Sequence, residues 1–146
     1  MVIKLLPNQV PKLWDAIKFA AANADRINEK DLPLYLNRLL AALLSEKAQC
    51  FLRLDEGRQL LAVAITRLIQ DEITGEKSLF LNCLYSFKRV PAEEWRADQK
   101  VLVDFAKRQG CKKMIAFSNS EKVFKMATAH GFSERYRCFV LDLAEV

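Results

Sequence analysis

The sequence predicts an α/β domain whose sheet is covered by helices on both faces. Three observations carry this. The apolar period changes from helical to strand-like near residue 48, and the two periods alternate from there on. The run "QLLAVAITRLI" (59–69) is apolar on both of its faces, as a strand covered on both sides must be. Gly110 and Gly131 each stand where an apolar helical stretch gives way to a strand-like one.

Taken in order, "VIKLL" (2–6) is a short first strand, closed by Pro7 and Asn8. From Val10 to Ala24 the residues Leu13, Trp14, Ile17, Phe19, Ala20 and Ala21 recur at helical spacing. Residues 32–47 give a second helix with Leu36, Leu39, Leu40, Leu43 and Leu44 as its buried stripe. Strands follow at 49–54, 59–69 and 78–87, the last two joined as a hairpin through "TGEK" (74–77). A third helix spans 91–109, with Trp95, Leu102, Phe105 and Ala106 on one face and Gly110 as its stop. Residues 111–118 are a fifth strand, 120–130 a fourth helix, and "FSERYRCFVLDL" (132–143) a sixth strand. The order is β-α-α-β-β-β-α-β-α-β, within one domain over residues 1–146.

Composition bounds the function. Half of the residues are apolar and 28% are charged, the balance of a globular chain. No stretch approaches the roughly 20 apolar residues of a membrane span, and "MVIKLLPNQ" is broken too early by Pro7 for a secretory signal. The expectation is a cytoplasmic protein. Cys50, Cys83, Cys111 and Cys138 form no CxxC pair, each in an apolar, strand-like setting, and the chain has one histidine. Reduced thiols and no metal are therefore expected. The net charge of +5 is uneven, with twelve basic and six acidic residues between 81 and 137. Such asymmetry suits anionic ligands such as phosphates, CoA or nucleic acid, or it is a solvated lysine-rich surface.

The element order resembles the GCN5-related N-acetyltransferase (GNAT) family, with a mixed central sheet of about six strands. The local pattern lies in "FAKRQGCKKMIAFSNSEKVFKMATAHGF": Ala106 and Gly110 match the family's Ala-x-x-x-Gly step, and Gly131-Phe132 its closing Gly-Phe. The resemblance implies acetyl-CoA or another acyl-CoA as co-substrate, slotted between two parted central strands. It implies that the backbone of Cys83, Leu84, Tyr85 and Ser86 faces the thioester. The CoA pyrophosphate would then sit on the turn at 89–95, with Lys88, Arg89, Arg96 and Lys100 around it and Asn119 as a further contact.

Two departures from the family pattern stand out. The family's glycine-rich turn, Arg/Gln-x-x-Gly-x-Gly/Ala, has Pro91, Glu93 and Trp95 near the glycine positions. Pro91 suits the first position of a helix, and Glu93 and Glu94 complement its dipole, so the turn reads as a self-satisfied helix cap. The tyrosine expected four residues before Gly-Phe is Ala127, and Ser120 holds the strict place of the helix-leading asparagine. Tyr85 and His130 are the remaining groups for moving a proton, although Tyr85 serves equally as core, and a lone histidine just before a terminating glycine is more often a helix end-cap than an acid or base. Glu72 and Glu76 flank the hairpin turn, too far out for a general base.

Three functions are compatible with these residues. The first is an acyl-CoA-dependent N-acyltransferase acting on an unidentified small-molecule or protein amine. The second is a catalytically degenerate GNAT-fold binding or assembly protein without CoA chemistry, with the leucine-dense second helix leaving room for a homodimer contact. The third is nucleic-acid binding through the basic half, although Phe87, Trp95 and Tyr136 are not interleaved with basic residues in any recognisable module. Acceptor choice would fall to "NADRINEKDLPLY" (23–35), where Asp25, Glu29 and Asp31 could attract a cationic amine and Tyr35 could line the mouth.

Overall fold

A computed structural model describes residues 1–24 and 27–146, so the expectation placed on Asp25 lies outside the described residues. Strands β1 (Val2–Lys4), β2 (Ala48–Leu54), β3 (Leu60–Gln70), β4 (Lys77–Ser86) and β5 (Lys113–Ile115) form one sheet in that spatial order. Neighbours are antiparallel except β4 and β5, which are parallel and joined by a crossover through α3 (Ala92–Arg108).

Strand parity builds the two faces. Cys50 and Leu52 of β2, Val63 and Ile65 of β3 and Cys83 of β4 pack under α1 (Val10–Ala24) and α2 (Leu32–Leu44), against Ile17, Ala20, Ala21, Leu39 and Leu43. The alternate residues Phe51, Ala64 and Leu79 meet Leu102, Phe105 and Ala106 of α3 on the opposite face. The rings of Phe51 and Phe105 meet edge to face, 5.4 Å between centroids. Residues 62–66 are buried without a break, as a strand covered on both sides requires.

Both glycine stops close as Schellman turns. After α3, Gly110 at φ +79° lets its own amide reach the Lys107 carbonyl and the Cys111 amide reach Ala106. After α4 (Glu121–Ala129), Gly131 at φ +91° does the same for Thr128 and Ala127, the latter taking the Phe132 amide. The Ala-x-x-x-Gly spacing thus encodes a carbonyl and the left-handed residue that turns the chain back to it.

The structure differs from expectation at several ends. Pro91 caps α3 rather than opening it, its carbonyl accepting from the amides of Glu94 and Trp95. Helix α2 stops at Leu44 because Glu46 adopts φ 62° and turns the chain into β2. β5 is three residues long, since the Cys111 amide is already committed to the α3 closure.

The sixth strand, expected over 132–143, does not form: among the described residues the sheet has five strands, and residues 132–142 take no regular secondary structure and are exposed from Ser133 onward, Phe139 being 92% accessible. A strand exists by pairing, and the three-residue edge of β5 offers little ladder to join. Cys138 lies in this segment, exposed, and Cys111 is only partly covered, so the strand-like setting expected of all four thiols holds for Cys50 and Cys83. No helix among the described residues is long and apolar enough to cross a membrane.

Candidate active site

β4 and β5 pair at three positions only: Ser78 with Lys113, Leu79 with Met114 and Phe80 with Ile115. The pairing is pinned at its outer end, where Lys113 bonds Glu76 at 2.9 Å and holds that carboxylate below its usual range. Beyond Phe80, β4 continues to Ser86 paired with β3 alone. The parting coincides with a bulge: Cys83 opposes Ile65 and Leu81 opposes Thr66, leaving Asn82 as the extra residue. A bulge increases the local twist and bends its strand. Between the parted strands lies a groove of about 310 Å3, with Leu81, Asn82, Cys83 and Leu84 on one side and Ala116, Phe117 and Ser118 on the other. Its walls are mostly apolar, including Phe51, Ala64, Leu102, Met126 and Ala127.

One polar cluster interrupts these walls. Arg53 of β2 shares the side of its strand that carries Phe51, and so projects towards α3. Its guanidinium bonds Asp98 Oδ1 at 2.5 Å and Glu94 Oε2 at 2.6 Å. The Arg53 and Asp98 side chains are only 11% and 13% exposed. Arg53 Nε, Asp98 Oδ2 and His130 Nδ1 are each buried without a hydrogen-bond partner, and all three residues line the groove. Native interiors leave few such atoms unpaired, so three beside one groove mark a place of chemical interest. Neither Arg53 nor Asp98 is named by the sequence reading. The available signal was an arginine at an inward position of a strand whose only other polar residue is Gln49.

Of the expected site residues, Cys83, Leu84 and His130 border the groove. Tyr85 points to the other face, its ring edge-on to Phe19 and Phe87. Ser86 Oγ donates to the Lys88 carbonyl and fixes the turn after β4. Lys88 and Arg89 are exposed on that turn, and Arg96 lies one helical turn further on, beside His130. Asn119 is exposed and does not line the groove. His130 is the C-cap of α4, and its carbonyl accepts from Gln99 Nε2 at 2.9 Å. The start of α3 is not the self-satisfied cap expected: no side chain bonds its first amides, and Glu94 is drawn to Arg53 instead.

Solved structures share this architecture. A probable acetyltransferase matches 98% of this chain and 97% of its own at 13% identity, with a TM-score of 0.76. A predicted acetyltransferase with acetyl-CoA from Clostridium acetobutylicum matches all of this chain and 97% of its own, at 15% identity and a TM-score of 0.74. A ribosomal-protein-alanine N-acetyltransferase from Brucella melitensis biovar Abortus matches 98% and 99%, at 14% identity and a TM-score of 0.70. The fold is that of the GNAT acetyltransferases. No family model and no curated protein matches the chain in sequence, so the similarity rests on the path of the backbone.

Proposed function

We propose that the chain transfers an acyl group from acyl-CoA to an amine. The observation that carries this reading is the parting of β4 from β5 at the Asn82 bulge, which leaves one edge of β4 unpaired beside an apolar groove. An extended, amide-bearing ligand such as the pantetheine arm could complete that edge as a strand would. The GNAT fold, and a structural neighbour described with acetyl-CoA, lend support.

In this reading the backbone of Cys83 to Ser86 orients the thioester with groups fixed before the ligand arrives. Lys88, Arg89 and Arg96 take the place of the missing glycines by holding phosphate through side-chain charge, aided by the uncapped first amides of α3. His130 borders the groove and is assigned the acceptor's proton; the packed ring of Tyr85 is not. As the amine nitrogen forms its bond to the acyl carbon, the thioester C–S bond breaks and its electron pair leaves on sulfur. The nitrogen's proton passes to His130 and then to the thiolate, giving CoA.

A second reading, a binding protein without catalysis, draws on the same turn. Pro91 has no amide, and Trp95 occupies the groove wall near a position where the GNAT pattern has glycine. Turnover separates the two. Incubation with acetyl-CoA and a panel of primary amines should release free thiol only when an amine is present, and His130→Ala should slow that release by roughly 100-fold. Thiol release at the same slow rate with and without every amine would leave the binding-protein reading standing.

A further inference from the structure

We infer that Asp98 is the positioning partner of His130, its free carboxylate oxygen accepting from the imidazole Nδ1–H so that Nε2 presents its lone pair to the groove. The inference rests on the acyl-transfer reading for its purpose, but on the side chains for its evidence. Asp98 Oδ2 is an acceptor without a donor, and His130 Nδ1 is a ring nitrogen without a partner, both buried at the wall of one groove. A ring N–H would satisfy Oδ2, as the equally unpaired Arg53 Nε would, and the tautomer of His130 tells the two apart. The end of α4 is already held against α3 beside Asp98, because the side chain of Gln99, the next residue, donates from Nε2 to the His130 carbonyl at 2.9 Å.

Arg53 explains why Asp98 can serve. With Oδ1 bonded to Arg53 Nη1, the carboxylate is held in one orientation, and Oδ2 is left without a partner. The arrangement has the logic of a nucleophile's base and its orienter: a buried carboxylate fixes which ring nitrogen carries the proton. The other charged groups around His130 are Arg53 from β2 and Arg96 and Lys100 from α3, while the last turn of α4 carries no basic residue. Arg53 is itself paired with Asp98 and Glu94, and Lys100 with Asp104; among the described residues, Asp98 is the carboxylate that lines the groove with His130 and could offset the charge the ring acquires on taking a proton.

The chain's single histidine makes a direct test possible. In 15N-labelled protein at a pH where the imidazole is neutral, the two ring nitrogens report the tautomer without any ligand or turnover. The Nδ1–H form is expected, and it should give way to the Nε2–H form in the double variant Arg53→Leu, Asp98→Leu. That variant replaces a buried ion pair by apolar side chains, a change that folds tolerate well; Asp98→Asn, which keeps the shape, is the second probe. In Asp98→Asn, kcat should fall roughly 100-fold with the KM for acetyl-CoA unchanged. A wild-type Nε2–H tautomer, or ring shifts that neither variant alters, would overturn the pairing. If the Nδ1–H form holds and no amine yields CoA, the acyl-transfer reading fails while the pairing stands. If turnover proceeds on the Nε2–H form, the pairing fails and the reading stands.

Discussion

The four thiols show how much a residue's meaning depends on where its neighbours bring it. Cys50 lies under α1 and α2, and burial pushes its pKa from the ordinary 9.0 up to about 12. The folded state therefore keeps this proton where the unfolded chain would lose it. The associated stability is intact below pH 9 and is lost as the pH rises from about 9 towards 12. Cys111 is shifted upward more modestly, again by burial, against the opposing charge of Lys77. With a thiol reagent at pH 8, Cys138 should react first and Cys111 more slowly, while Cys50 and Cys83 react only on unfolding. Peptide mapping of the labelled protein checks the order, and rapid labelling of Cys50 in the folded state would contradict it. The apolar setting of Cys50 and Cys83 was legible because each stands in an apolar run that forms a strand of the sheet. The Arg53–Asp98 pair was not, because it joins positions 45 residues apart and depends on strand parity and helix rotation together.

Among the elements, legibility followed the origin of each boundary. Helix α1 matches its predicted range, since its apolar period and its flanking turns agree. The ends of α2 and β5 depend on turns whose hydrogen bonds reach back to other residues, so periodicity alone carries both too far. The glycine stops were legible because they are chemical requirements of the backbone. Gly110 sits at φ +79°, and a Cβ there would meet no atom within 4 Å. Replacing it by alanine should therefore cost only the left-handed conformation, about 1–2 kcal/mol. Denaturant unfolding of Gly110→Ala measures this; an unchanged midpoint would show that the Schellman closure contributes nothing. The sixth strand was misread because alternation supplies a face for a strand, whereas only a neighbouring edge supplies its hydrogen bonds.

At the scale of the whole molecule, the element order was enough to point to the GNAT fold, although every quoted neighbour is at most 15% identical. What order could not convey is the working geometry: the bulge at Asn82, the parting of β4 from β5, and the polar cluster on the wall of the resulting groove. These arise from contacts between β2, β4, α3 and the end of α4, none adjacent in sequence to all the others. The basic excess of residues 81–137 includes Lys88 and Arg89, exposed on the turn between β4 and α3, and Arg96 on α3. In the acyl-transfer reading, side-chain charge supplies the phosphate grip that the glycine-free turn lacks, and such a grip must weaken as salt screens it. Calorimetric titration with acetyl-CoA at low salt tests this most directly. The account predicts saturable binding that weakens with added salt and is lost in the double variant Lys88→Ala, Arg89→Ala. Absence of binding at millimolar acetyl-CoA, or binding untouched by that variant, would contradict it.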